Sequence, residues 1–136
     1  LLAHRVGPMR RRGGAAIETA LVFPLLVLML AGIFEVSWYL HRRNMVSEAA
    51  DAAARAASVV EDPDDVSTTA RSTVATRLSE LGISTTGMVV SASVVSGDID
   101  AVQVDVTVPH SSFTSMVPVP DTIEVAASAL FEDVGG

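Results

Sequence analysis

The sequence predicts an α+β fold: a long N-terminal transmembrane helix, a second short helix, then a small three-stranded antiparallel sheet. Three observations lead there. Residues 20–34 form an apolar run without a single charge. An alanine-rich stretch without Gly or Pro follows at 44–60, and beyond Gly87 the apolar period drops from helical spacing to alternation.

The membrane segment is fixed by length and solvent. Residues 17–40 make about 24 positions, and a hydrocarbon core of about 30 Å needs about 20 helical residues. Inside lipid each backbone polar group must be satisfied within the segment, which leaves helix as the only conformation. Pro24 falls in the first turns of that span, where a missing N–H is best tolerated. Glu18 and Glu35 stand near its opposite ends, and Trp38 and Tyr39 suit the outer headgroup level. Glu35, nearer the outer surface, is expected to snorkel toward water as a second membrane carboxylate. Arg5, Arg10, Arg11 and Arg12 precede the span and only Arg42 and Arg43 follow closely, so the N-terminus is expected in the cytoplasm and the C-terminal part outside.

The outer part is acidic, the chain has no lysine, and its formal net charge is -7. That composition argues against nucleic acid as a partner. There is no cysteine, so a disulfide staple, a thiol nucleophile and a cysteine-based zinc site are excluded. The length suffices for one small outer domain.

Residues 44–60 carry seven alanines and should continue the membrane helix to a total of about 40 residues. Ala49, Ala50, Ala53, Ala56 and Ala57 fall on one face, suited either to a neighbouring helix or to the chain's own sheet. Glu61-Asp62-Pro63-Asp64-Asp65 stops this helix. Its acids suit the start of the next helix better than a calcium site, because EF-hand spacing is absent. Residues 66–81 form that second helix, with Val66, Ala70, Val74, Leu78 and Leu81 as an apolar stripe and Gly82 as the stop. Strands are expected at 88–95, at 102–108 and at 122–131. Ser96-Gly97-Asp98 turns between the first two, and 111–121 is a loop carrying Pro118 and Pro120.

Catalytic motifs are thin. His4, His41 and His110 lie in three separate regions, and no paired-histidine spacing occurs. His110-Ser111-Ser112 lacks the Gly-x-Ser-x-Gly nucleophile signature, and no Gly-rich phosphate loop is present. No enzymatic activity, cofactor, metal or small-molecule substrate is expected.

A family resemblance rests on Arg11-Arg12-Gly13-Gly14-Ala15-Ala16-Ile17-Glu18, then Pro24-Leu25-Leu26, then Gly32-Ile33-Phe34-Glu35, with Ala54-Arg55-Ala56 fitting the helical continuation. In this order and spacing the chain resembles a TadE-like minor pilin (pseudopilin) of the tight-adherence, or Tad/Flp, type IV pilus system. The resemblance implies a long pilin-like helix and cleavage by a prepilin peptidase on the cytoplasmic face. That enzyme family cuts after a glycine and requires a glutamate at the fifth mature position. Cutting between Gly13 and Gly14 makes Glu18 fifth, and the two small residues give a protease access to extended backbone. The implied organisation is a basic leader at 1–13, a transmembrane and extended helix at 14–60 and an outer α+β domain at 61–136. Leu1 is not methionine, whereas Met9 directly precedes Arg10-Arg11-Arg12-Gly13: either the first codon is a non-standard start, or translation begins at Met9 and leaves a five-residue basic leader.

Glu18 is the residue the resemblance loads with function. A carboxylate in the hydrocarbon is costly unless paired. In pilins its partner is held to be the N-terminal ammonium of a neighbouring subunit, here Gly14. The other reading of Glu18 is a headgroup-level acid favoured by the helix dipole. Implied partners are the membrane, the prepilin peptidase, other major and minor pilins and the Tad inner-membrane assembly platform. The competing expectation is an uncleaved single-pass membrane protein whose outer domain binds an envelope partner. A cleaved secretory signal fits less well, since the alanine-rich segment lies too far beyond the apolar core.

Overall fold

The computed structural model describes residues 12–97 and 99–130. Its elements run α1 (Arg12–Ser58), α2 (Pro63–Glu80), β1 (Val89–Val95), β2 (Ala101–Pro109) and β3 (Thr122–Leu130). The long apolar helix, the short second helix and the antiparallel sheet therefore occur in the expected order. Phe131, expected at the end of the last strand, and Asp98, expected in the first turn, lie outside the described residues.

The 47 residues of α1 form one unbroken helix about 70 Å long. Its two halves live in different surroundings. From residue 13 to residue 30 every side is exposed, and this half is long and apolar enough to cross a membrane. Pro24 stands well inside the helix and not in its first turns, because the helix starts a dozen residues before it. It removes one N–H from the hydrogen-bond ladder, at the carbonyl of Ala20.

From Val46 onward α1 becomes part of the core. Val46, Ala49, Ala50, Ala53, Ala54 and Ala57 are buried, an arc at i, i+3, i+4 and i+7 spacing. The arc reaches Ala54 on one side and stops short of Ala56, which is only half-buried. The chain's own α2, β2 and β3 cover this face. Small residues here let the helix backbone come close to the sheet, so the alanine face serves the chain's own packing.

Asp62 caps α2: its backbone is extended and its Oδ1 accepts from the Asp64 N–H at 3.0 Å. Asp64 and Asp65 sit in the first turn, where the helix dipole favours negative charge. The acidic cluster is thus a helix start. At the other end Gly82 takes φ +71, its N–H bonds Ser79 O at 3.0 Å, and Ile83 N–H bonds Leu78 O at 2.8 Å. This is a Schellman turn, which brings the residue after the glycine back onto the third residue from the helix end. Ile83 consequently joins Val66, Ala70, Val74 and Leu78 in the core, while Leu81, expected in the stripe, is exposed.

The sheet order is β1-β2-β3, antiparallel throughout. Val102, Val104, Val106 and Val108 of the central strand are fully buried against the helices, and Gln103, Asp105 and Thr107 alternate on the other face. Ile123 and Ala127 continue the inner face on β3. Both helices lie on one side of the sheet: α1 over β2 and β3, α2 over β1. The long loop between β2 and β3 projects from the end of the sheet nearest the exposed half of α1.

Candidate functional site

The expected site residues fall at three heights along α1. Arg10 and Arg11 lie outside the described residues, and Arg12 is the first residue of the helix. Gly13 and Gly14 are in the first helical turn, with open space where a Cβ would stand. They are not in the extended form that peptidase access requires. The cost of unwinding them is small, because first-turn N–H groups have no intrahelical partner and glycine is the poorest ordinary helix former.

Glu18 is exposed, one and a half turns into the helix, beside Thr19, Val22, Phe23 and Leu26. The side-chain ion pair found among the described residues joins Arg77 to Glu80, so Glu18 meets no counter-charge among the described residues of its own chain. A carboxylate on an apolar helix surface is therefore open to an external partner.

Glu35 behaves in the opposite way. It does not snorkel toward water: it has 0% exposure. Its Oε1 accepts from the Phe113 N–H at 2.6 Å, and its Oε2 accepts from the Thr114 N–H at 2.7 Å and the Thr114 hydroxyl at 2.6 Å. The reason is that a buried carboxylate needs donors, and the loop supplies both backbone and hydroxyl donors in one turn. The loop is shaped for this. Ser115 adopts φ 56 at its tip, the hydroxyls of Ser112 and Ser115 lie 3.0 Å apart, and the His110 N–H bonds Asp121 O at 2.7 Å to close its base. Ends tied together over some ten residues make a compact Ω-type loop.

Trp38 is exposed and lies 6.3 Å from the Phe113 ring. Tyr39 is half-buried, and its ring meets His110 edge-on at 5.3 Å. Trp38 and Tyr39 are thus divided between an outward apolar face and the loop base. Sequence reasoning misses the partners Phe113 and Thr114. The available signal is an intramembrane carboxylate facing a distant, uncharged stretch rich in hydroxyl groups.

His110 is buried, and neither ring nitrogen has a hydrogen-bond partner among the described residues. Burial pushes its imidazole below the ordinary histidine range, and the Arg42 charge adds to the effect, while Glu35 and Asp121 oppose it. A depressed folded value favours the neutral ring in the native state. Its contribution to stability is present above the unfolded value of about 6.5 and is lost as pH falls through the folded one. Urea unfolding of the full chain in detergent should therefore show stability falling as pH drops below about 6.5, and His110→Phe should flatten that fall. An equally steep fall in the variant would show that other groups cause it.

Comparison with known proteins bears on the same helix. The family model described as TadE-like protein matches residues 13–55. This segment is similar to the TadE-like family. The match covers under a third of the chain and includes Gly13, Gly14, Glu18, Glu35, Trp38 and Tyr39. The TadE-like segment ends within the alanine face of α1, so α2 and the sheet lie beyond it. No curated protein and no solved structure matches the chain.

Proposed function

We propose that the protein is a minor pilin, or pseudopilin, that takes part in assembly or initiation of a Tad/Flp type IV pilus. The observation that carries this reading is Glu18, an exposed carboxylate on the apolar half of a TadE-like helix, with no counter-charge among the described residues of its own chain. In this reading a prepilin peptidase hydrolyses the Gly13–Gly14 bond, leaving a carboxylate on Gly13 and an ammonium on Gly14. That ammonium pairs with Glu18 of a neighbouring subunit when both leave lipid for a helical bundle, which exchanges a costly exposed charge for a charge pair. The N-terminus stands in the cytoplasm and the α+β portion outside, where it contacts other pilins and the assembly platform. The protein works by association and not by catalysis.

The second reading is an uncleaved single-pass membrane protein, and the helical state of Gly13 and Gly14 favours it. Intact mass and N-terminal sequence, measured with and without the co-expressed prepilin peptidase, separate the two. A peptidase-dependent start at Gly14 is expected, lost in Gly13→Leu and retained in Glu18→Ala, with Glu18→Ala impaired in assembly. An unprocessed chain in the presence of active peptidase would favour the uncleaved anchor.

A further inference from the structure

We propose that the 111–120 loop is a second membrane contact, seated at the outer headgroup–hydrocarbon boundary beside α1 with Phe113 and Met116 in lipid. The proposal rests on reading the apolar half of α1 as a membrane span.

The loop's composition comes first. Residues 111–120 contain no Asp, Glu, Lys or Arg, in a chain whose portion beyond the apolar helix is otherwise rich in acids. Exposed loops in water normally carry polar and charged residues; this one exposes Phe113 by 73% and Met116 by 62%. Phe113 lines one largely apolar patch with Phe34 and Trp38 of α1, continuous with the surface of the span.

Height is the second observation. Val117 packs over Gly32, with its Cγ2 3.5 Å from the point where a Cβ on that glycine would stand. A hydrocarbon core of about 30 Å centred on Val27, the middle of the uncharged run, reaches about ten residues either way along an upright helix. Glu35 then lies about 3 Å inside the outer boundary and Gly32 about 7 Å inside it, and the loop packed on them occupies that range of depth. Trp38 stands at the interface, where amphipathic aromatic rings concentrate.

The third observation is how the N–H groups of the loop's tip are satisfied. Irregular backbone at membrane depth is tolerated only when its polar groups find partners within the protein. Glu35 takes the N–H groups of Phe113 and Thr114, the Thr114 hydroxyl accepts from the Met116 N–H at 3.3 Å, and Pro118 and Pro120 have no N–H to satisfy. The carboxylate buried on a membrane helix thus holds an uncharged loop down against the span. The occupant these features fit is lipid, since the patch adjoins the span directly and carries no charge to steer a protein partner.

The test uses the full chain in phosphatidylcholine vesicles with brominated acyl chains, in a Trp38→Phe background that removes the native tryptophan. Phe113→Trp and, separately, Met116→Trp report on the loop, and Leu26→Trp reports on the span. The loop reporters should lose emission to bromines near the carbonyl end of the chains, resist aqueous iodide and emit at shorter wavelength than tryptophan in water. Iodide-accessible loop reporters beside a bromine-quenched Leu26→Trp would overturn the loop contact alone. If Leu26→Trp also escapes bromine quenching, the span reading fails and the proposal with it. Loop emission shielded from both quenchers and altered by dilution with lipid would show a second copy on the patch, which also overturns it.

Discussion

Leu78→Ala is expected to destabilise the folded unit by about 2–5 kcal/mol. Leu78 is among the largest fully buried side chains and sits where α2 ends over the sheet. It is also the residue onto which the turn at Gly82 folds Ile83, through the 2.8 Å bond from the Ile83 N–H to its carbonyl. Truncation therefore leaves a cavity in a core built largely of alanine and valine, with Met45 and Met88 packed against its margin. Small domains have only about 5–15 kcal/mol in hand, so the loss should appear as a large drop in the urea midpoint of the full chain in detergent. Leu78→Met preserves volume and should cost less than about 1.5 kcal/mol. Equal losses from the two variants would show that the side chain's volume is not what matters there.

Glu35→Ala should release the loop while leaving the sheet in place. Three donors lose their acceptor at once: the N–H groups of Phe113 and Thr114 and the Thr114 hydroxyl. Amide exchange at Phe113 and Thr114 is expected to speed up by about tenfold or more, with β2 amides unchanged. Glu35→Gln should fall between, because a side-chain amide has one acceptor oxygen where the carboxylate has two. Unaltered exchange at both residues in Glu35→Ala would mean that the loop holds its shape by other contacts.

These two residues mark the limits of what the sequence discloses. Leu78 is legible because its neighbours in the stripe recur at helical spacing, and the valines of β2 are legible through strict alternation. Such patterns repeat, so each residue supports the next. Leu81 fits the stripe by spacing but leaves the core, because a single glycine with positive φ reverses the chain and hands the position to Ile83. Glu35 departs from expectation for a related reason: its partners lie 78 and 79 positions later, in a loop that has no period at all. Local patterning reports which face of an element is apolar, but not which distant loop covers an isolated polar group. For Gly13, Gly14 and Glu18 the spacing stands out in the sequence, and the structure adds their helical, outward-facing surroundings.

The order of the elements along the chain also sets a timetable. Everything that covers α1 arrives late: α2 follows it, and the central strand and the Glu35-binding loop come from the last third of the sequence. A chain threaded outward across the membrane would have its span in place while the alanine arc and Glu35 still waited for strands not yet delivered. Contacts between remote residues close slowly, and half-built domains expose sticky surface meanwhile. For a chain threaded in that way, folding would be the last step, completed only when β3 is delivered. An arc of small residues and an uncovered carboxylate would distinguish an unfinished chain from a finished one at the membrane surface.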